Sequence, residues 1–144
     1  MKENEQQRTL DLLQSIMEYE LAGVVRYTHF SLVVTGTERN FIVDFLKEQA
    51  AESLTHAQKV GEILVSVEGH PKPGIAPVID IDKYSIKDVL VASLAHEREA
   101  IQMYKQLLAS AQQSNQELVK FVTNMIEEES SHHLELEQMI QDLG

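Results

Sequence analysis

Four glutamates and two histidines carry the chemistry this chain can do. Glu129 and His132 lie one turn apart in the run IEEESSHHLELEQMI, and both fall on the stripe that a helix would bury: Leu118, Val122, Met125, Glu129, His132, Leu136, Met139 and Leu143 recur at steps of three and four. A carboxylate and an imidazole on a core face are expensive to take out of water, so the pattern requires a cation between them or a protein partner for each. Glu20, Glu52, His56 and Glu97 hold comparable places on three other apolar stripes. Singly, each has a plain structural reading, in which a core Glu accepts a bond from a buried Tyr and a core His finds a carbonyl. As a set they are different. Four carboxylates brought together in a low dielectric repel unless some are protonated, and two divalent cations would balance them. Four carboxylates and two imidazoles are the donor set of a dinuclear, carboxylate-bridged metal site.

The elements that must position these residues follow from the apolar period. Asn4 with Gln7 reads as an N-cap and its partner for a first helix over about 5–35, which carries Glu20 and Tyr27 and stops at Gly36. A second helix, about 38–68, carries Glu52 and His56 and stops at Gly69. Residues 69–84, GHPKPGIAPVIDIDKY, hold all three prolines and two of the six glycines and read as a connector. Ser85 with Asp88 opens a third helix, about 86–112, carrying Glu97 and Tyr104; Ser114 with Glu117 forms a capping box that opens a fourth, about 115–142. A helix of this size is roughly 42 Å long, and an extended connector of this length spans about 50 Å. The connector can therefore run the length of the bundle and set the third helix parallel to the second. The expectation is an all-α, single-domain four-helix bundle over 1–144, made of two antiparallel hairpins joined by one long crossover, with the metal site at mid-bundle.

The two hairpins read as copies at an offset of 77 residues: Asp11 matches Asp88, Glu20 matches Glu97, Tyr27 matches Tyr104, Glu52 matches Glu129 and His56 matches His133. Packed about a pseudo-twofold axis, they bring the four glutamates together. The offset favours His133 in the last helix, whereas the apolar stripe favours His132. We take His132, because its neighbour is turned about 100° from the stripe. His29, His70 and His96 read as surface or supporting residues, and Glu127, Glu128, Glu135 and Glu137 as a solvated helix face.

Composition narrows the partners. A net charge of -11 disfavours nucleic acid and favours cations. With no cysteine, disulfides and thiolate metal sites are excluded, which suits a cytoplasmic protein. The polar start MKENEQQRTLDLL lacks the apolar run of a signal peptide, and Glu20, Arg26 and His29 interrupt the longest apolar segments, so neither export nor a membrane span is expected.

Glu20-x6-Tyr27, Glu97-x6-Tyr104 and Glu129-x2-His132 are motifs by which nearly the whole chain resembles the bacterioferritin and rubrerythrin branch of the ferritin-like di-iron carboxylate proteins. The resemblance implies a ferroxidase centre for two iron ions, oxidised by O2 or H2O2 for storage or detoxification. Glu20 and His56 would be terminal ligands of one ion, Glu97 and His132 of the other, with Glu52 and Glu129 bridging both and Tyr27 and Tyr104 steadying carboxylates. It also implies a homo-oligomer, whether a dimer or a cage. The donor set itself accepts manganese or zinc as well as iron. A non-storage di-metal peroxidase or manganese catalase is the alternative, and a structural module with a vestigial site fits poorly with so many core charges.

The chain departs from the family pattern in three places. The first hairpin has Glu52-x3-His56 in place of E-x-x-H, and a single wide π-type turn between them would restore the geometry. Ser53 and Leu54 stand where the haem methionine would, so no haem is expected. No short fifth helix follows the fourth.

Overall fold

The helices form where apolar residues keep a period of three to four without proline. The computed structural model, which describes residues 2–111 and 115–143, gives α1 (Lys2–Val33), α2 (Arg39–Ser66), α3 (Ile86–Ala111) and α4 (Gln116–Asp142). These replace the expected ranges of about 5–35, 38–68, 86–112 and 115–142, with boundaries that move by three residues at most. Asn4 is inside α1 and not its cap. Ser85 does open α3, its Oγ accepting from the Asp88 amide at 3.1 Å and donating to the Asp88 carboxylate at 2.8 Å. Ser114 lies outside the described residues; α4 is capped by Asn115, whose Oδ1 accepts from the Leu118 amide at 3.1 Å.

The end of α2 also differs from expectation. Glu68, not Gly69, takes the left-handed conformation, with φ 67°. Its amide donates to the Val65 carbonyl and that of Gly69 to the Leu64 carbonyl, the paired bonds of a Schellman stop. Gly69 is needed for a different reason: a Cβ there would sit 2.8 Å from the Leu64 carbonyl oxygen.

α1 packs on α2 and on α3, and α3 on α4. The connector climbs along α1 from one end of the bundle to the other: Lys72 exchanges two hydrogen bonds with Gln14, Ala76 donates to Glu18, Arg26 donates to Ile79, and Thr35 donates to Tyr84. It thereby returns the chain to the end where α2 began, so α2 and α3 run parallel, as the length argument allows. The packing makes two apolar clusters with a polar layer between them. One holds Leu13, Ile16, Met17, Val60, Tyr104, Leu107, Val122 and Met125; the other holds Tyr27, Phe30, Val34, Ile42, Leu46, Leu90 and Leu136. On every helix the gap between clusters is where the glutamates and histidines stand, and burial of the residues on either side, each contributing about 1.5–3 kcal/mol, supports a charged layer the core would otherwise reject. None of the described helices is long and apolar enough to cross a membrane.

Candidate metal centre

Glu20, Glu97 and Glu129 are 2%, 4% and 1% exposed, and His56 is 3% exposed, so three acids and one imidazole share the polar layer at mid-bundle. His56 Nδ1 faces two carboxylates, Glu20 Oε2 at 2.9 Å and Glu129 Oε1 at 3.0 Å, and its Nε2 faces Glu128 Oε1 at 3.1 Å. Burial alone would lower the imidazole's pKa; the bonds to Glu129 and Glu20 outweigh it and hold it at about 11. Burial raises the Glu20 carboxyl, against the pull of His56. Burial, then the bond and charge of Glu129, push Glu97 well above the ordinary carboxylate range. His56, Glu20 and Glu97 are thus all shifted toward their protonated forms, as expected of buried donors whose charges cannot be solvated by water.

The tyrosines brace the acids across the hairpins. Tyr27 donates to Glu97 Oε1 at 2.5 Å and Tyr104 to Glu20 Oε2 at 3.0 Å, so each hairpin's tyrosine holds the other hairpin's glutamate. The same pseudo-twofold relation places Tyr19 on His96, residues separated by the repeat offset of 77, with rings stacked at 4.3 Å and 10°. His96, expected on the surface or in a supporting role, is 4% exposed and also meets the edge of Tyr27.

Three groups of donors have ligand atoms within 4.8 Å of one another: Glu20, His56 and Glu129; Glu97, Glu129 and His132; and Glu52, Glu128 and His132. The first two share Glu129 and lie in the interior, where a divalent cation would find mixed carboxylate and imidazole donors. One oxygen of Glu129 is buried without any hydrogen-bond partner, so a donor already stands desolvated and unsatisfied there. The residues present fit metal ions.

Two placements differ from the sequence reading. Glu52 is not in either buried group: α2 stays α-helical through Glu52 and His56 with no π-type turn, and the Glu52 side chain is 42% exposed, 3.0 Å from His132 Nε2. Glu128, read as part of a solvated face, touches His56 and completes the outer group despite 44% exposure. The signal was its spacing of four from His132, hidden inside a run of acids. His132 belongs to two groups, whereas His133 pairs with Glu137 at 2.7 Å one turn on.

A family model described as the ferritin-like domain matches residues 10–144. The chain belongs to the ferritin-like family. Solved structures share this ferritin-like fold across nearly its full length. A ferritin-like, diiron-carboxylate protein from Bacillus anthracis str. Ames is 22% identical, with 94% of this chain and 97% of that one covered and a TM-score of 0.88. A dodecameric thioferritin, the bacterioferritin-related protein of Bacteroides fragilis, is 19% identical over 99% and 95%, also at 0.88. The bacterioferritin of Rhodobacter capsulatus, with a metal-free dinuclear site and haem iron, is 21% identical over 93% and 84%, at 0.79. No curated protein sequence matches the chain significantly.

Proposed function

We propose that this ferritin-like chain is a ferroxidase that binds two Fe(II) as substrate at Glu20, His56, Glu97, Glu129 and His132, with Glu52 at the edge of the pair beside His132, and oxidises them with O2 or H2O2, for iron storage or detoxification. The observation that carries this reading is that Glu129 belongs to both buried donor groups, so one carboxylate can bridge two cations. Two Fe(II) each lose one electron; O2 takes up both electrons and two protons to give H2O2, or H2O2 takes up both with two protons to give two waters. Hard carboxylate oxygens favour the ferric product. The protein's part is to hold Glu97 and Glu20 in place through Tyr27 and Tyr104, to exclude water, and to release the proton from His56 Nδ1 as a cation arrives while Nε2–H stays donated to Glu128.

Copies of the chain assemble in this reading. Leu32 and Phe41, each 72% exposed, and Ile79 at 75% are apolar surface that another copy would cover. A cytoplasmic setting suits a chain without cysteine.

Fe(II) added aerobically should oxidise several-fold faster with the protein than without, with near-ultraviolet absorbance as the readout, and Glu129→Ala should return it to the background rate. Equal rates with and without the wild-type protein would overturn the proposal. Vigorous O2 release from peroxide by manganese-loaded protein would favour the catalase reading.

A further inference from the structure

His96 is 4% exposed, yet neither of its ring nitrogens has a hydrogen-bond partner among the described residues, and it belongs to none of the three donor groups. Burial and the positive charge of Arg26 both disfavour protonation of the ring, so it carries one N–H donor and one lone pair, each costly while unpaired. The ring is wedged against α1, stacked on Tyr19 at 4.3 Å and set edge-on to Tyr27 at 5.6 Å, with Gly23 one turn from each tyrosine. A Cβ on Gly23 would meet both His96 Nε2 and the Oγ of buried Ser53 at 2.9 Å. α1, α2 and α3 therefore meet at one gap beside the Gly23 backbone, lined by an imidazole nitrogen and a hydroxyl and left open by the missing side chain.

The gap selects its occupant. A single added carbon would crowd it, so only a very small molecule fits. The Arg26 charge that opposes a proton on His96 opposes a cation too, and Glu97 and Glu20, whose charges reach the stacked Tyr19, oppose an anion. What remains is a neutral molecule that both donates and accepts hydrogen bonds, which water and H2O2 do and O2 does not. H2O2 has an oxygen for each of the two partners, whereas one water must serve both. We propose that Gly23, Ser53 and His96 form a docking site for H2O2, separate from the metal ligands, that holds the oxidant beside the dinuclear centre. This rests on the ferroxidase reading. The placement supports it: Ser53 follows Glu52, His96 precedes Glu97, and Tyr27, whose ring meets His96, donates to Glu97 Oε1. In the reaction, one electron from each of two Fe(II) and two protons from solvent enter the peroxide as its O–O bond breaks, leaving two waters. The site thus favours H2O2 over O2 as the oxidant.

The test begins without iron. In metal-free protein labelled with 15N in its histidines, added H2O2 should shift the His96 resonances saturably, and Ser53→Ala should weaken that titration about fivefold. The resonances are assigned by their loss in His96→Phe or, if that variant does not fold, in His96→Gln. Fe(II) oxidation is then driven either by H2O2 in the absence of O2 or by O2 with catalase present to remove peroxide. At low oxidant concentration the ratio of the first rate to the second should fall about fivefold in Ser53→Ala and further in His96→Phe. It should keep its wild-type value in Ser93→Ala, which removes another buried hydroxyl, one that donates to the Val89 carbonyl at 2.8 Å. His96 resonances that H2O2 leaves unmoved, or a titration or rate ratio that Ser53→Ala leaves unchanged, would mean a water site only and overturn the proposal. Wild-type protein that binds H2O2 at His96 but speeds Fe(II) oxidation with neither oxidant would instead overturn the ferroxidase reading.

Discussion

The proton on His56 makes metal binding strongly dependent on pH, in a range where an ordinary histidine would show no dependence. Burial lowers the imidazole's pKa, but its bonds to Glu129 and Glu20 bring it to about 11, so at pH 7 the ring keeps a proton that a cation at Nδ1 must displace. Four pH units of competition weaken the apparent affinity by about ten-thousandfold, or about 5 kcal/mol. Raising the pH from 6.5 to 9 should therefore strengthen Co(II) binding at least tenfold per unit, with no plateau. Calorimetry in buffers of differing ionisation enthalpy should show at least one proton released per filled chain. The stability of the metal-free protein should move the other way. A histidine whose folded pKa lies above its unfolded 6.5 contributes stability that is fully present below 6.5 and lost as pH rises toward 11, about 2 kcal/mol by pH 8. Raised carboxyl pKa values at Glu20 and Glu97 act in the same direction above their ordinary range. The metal-induced rise in Tm should accordingly widen with pH. A Co(II) affinity that levels off above pH 7 would refute the reasoning, because that is what a histidine with an unshifted pKa gives.

His132→Ala should cut Co(II) stoichiometry to one per chain or less, whereas His133→Ala, which loses only the pair with Glu137, should leave it at two; the reverse result would put the wrong histidine in the centre. Glu68→Gly should stabilise the protein by about 0.5–1 kcal/mol in urea unfolding, because an L side chain at φ 67° is strained and its side chain is exposed. Gly23→Ala should destabilise by about 1–2 kcal/mol: the new Cβ would lie 2.9 Å from both His96 Nε2 and Ser53 Oγ, an overpacking cost of about 1–3 kcal/mol that exceeds the helix-propensity gain of at most about 1 kcal/mol. Adding Ser53→Ala should recover only part of that loss, since the His96 ring is held by Tyr19 and Tyr27 and cannot step aside.

The fold was legible because its signals are redundant. Period, stops and the proline-rich connector each point to the same four helices, and the connector is long enough to let α2 run parallel to α3. The inner donors were legible for a related reason: Glu20, Glu97, Glu129 and His56 are charged or polar residues on stripes otherwise apolar, and the tyrosine spacing repeats at 77. Caps were less legible, since Asn115 and Glu68 do their work one residue from the positions that pattern favours, and backbone angles decide such choices. Glu128 was hidden because an acid in a run of acids gives no periodic signal, and its role depends on where α2 places His56.

The two hairpins depart from one another at the second helix of each. In α4 the histidine follows its glutamate by three residues and in α2 by four, and a regular α-helix turns about 100° per residue, so the two pairs cannot present the same geometry. The π-type turn that would have reconciled them is absent from α2. Glu129 consequently points inward and serves two groups, whereas Glu52, its repeat partner, turns out to the solvent edge and meets His132 there. Breaking the repeat leaves one glutamate fixed in the core and places the other beside His132, at the edge where Glu128 also stands.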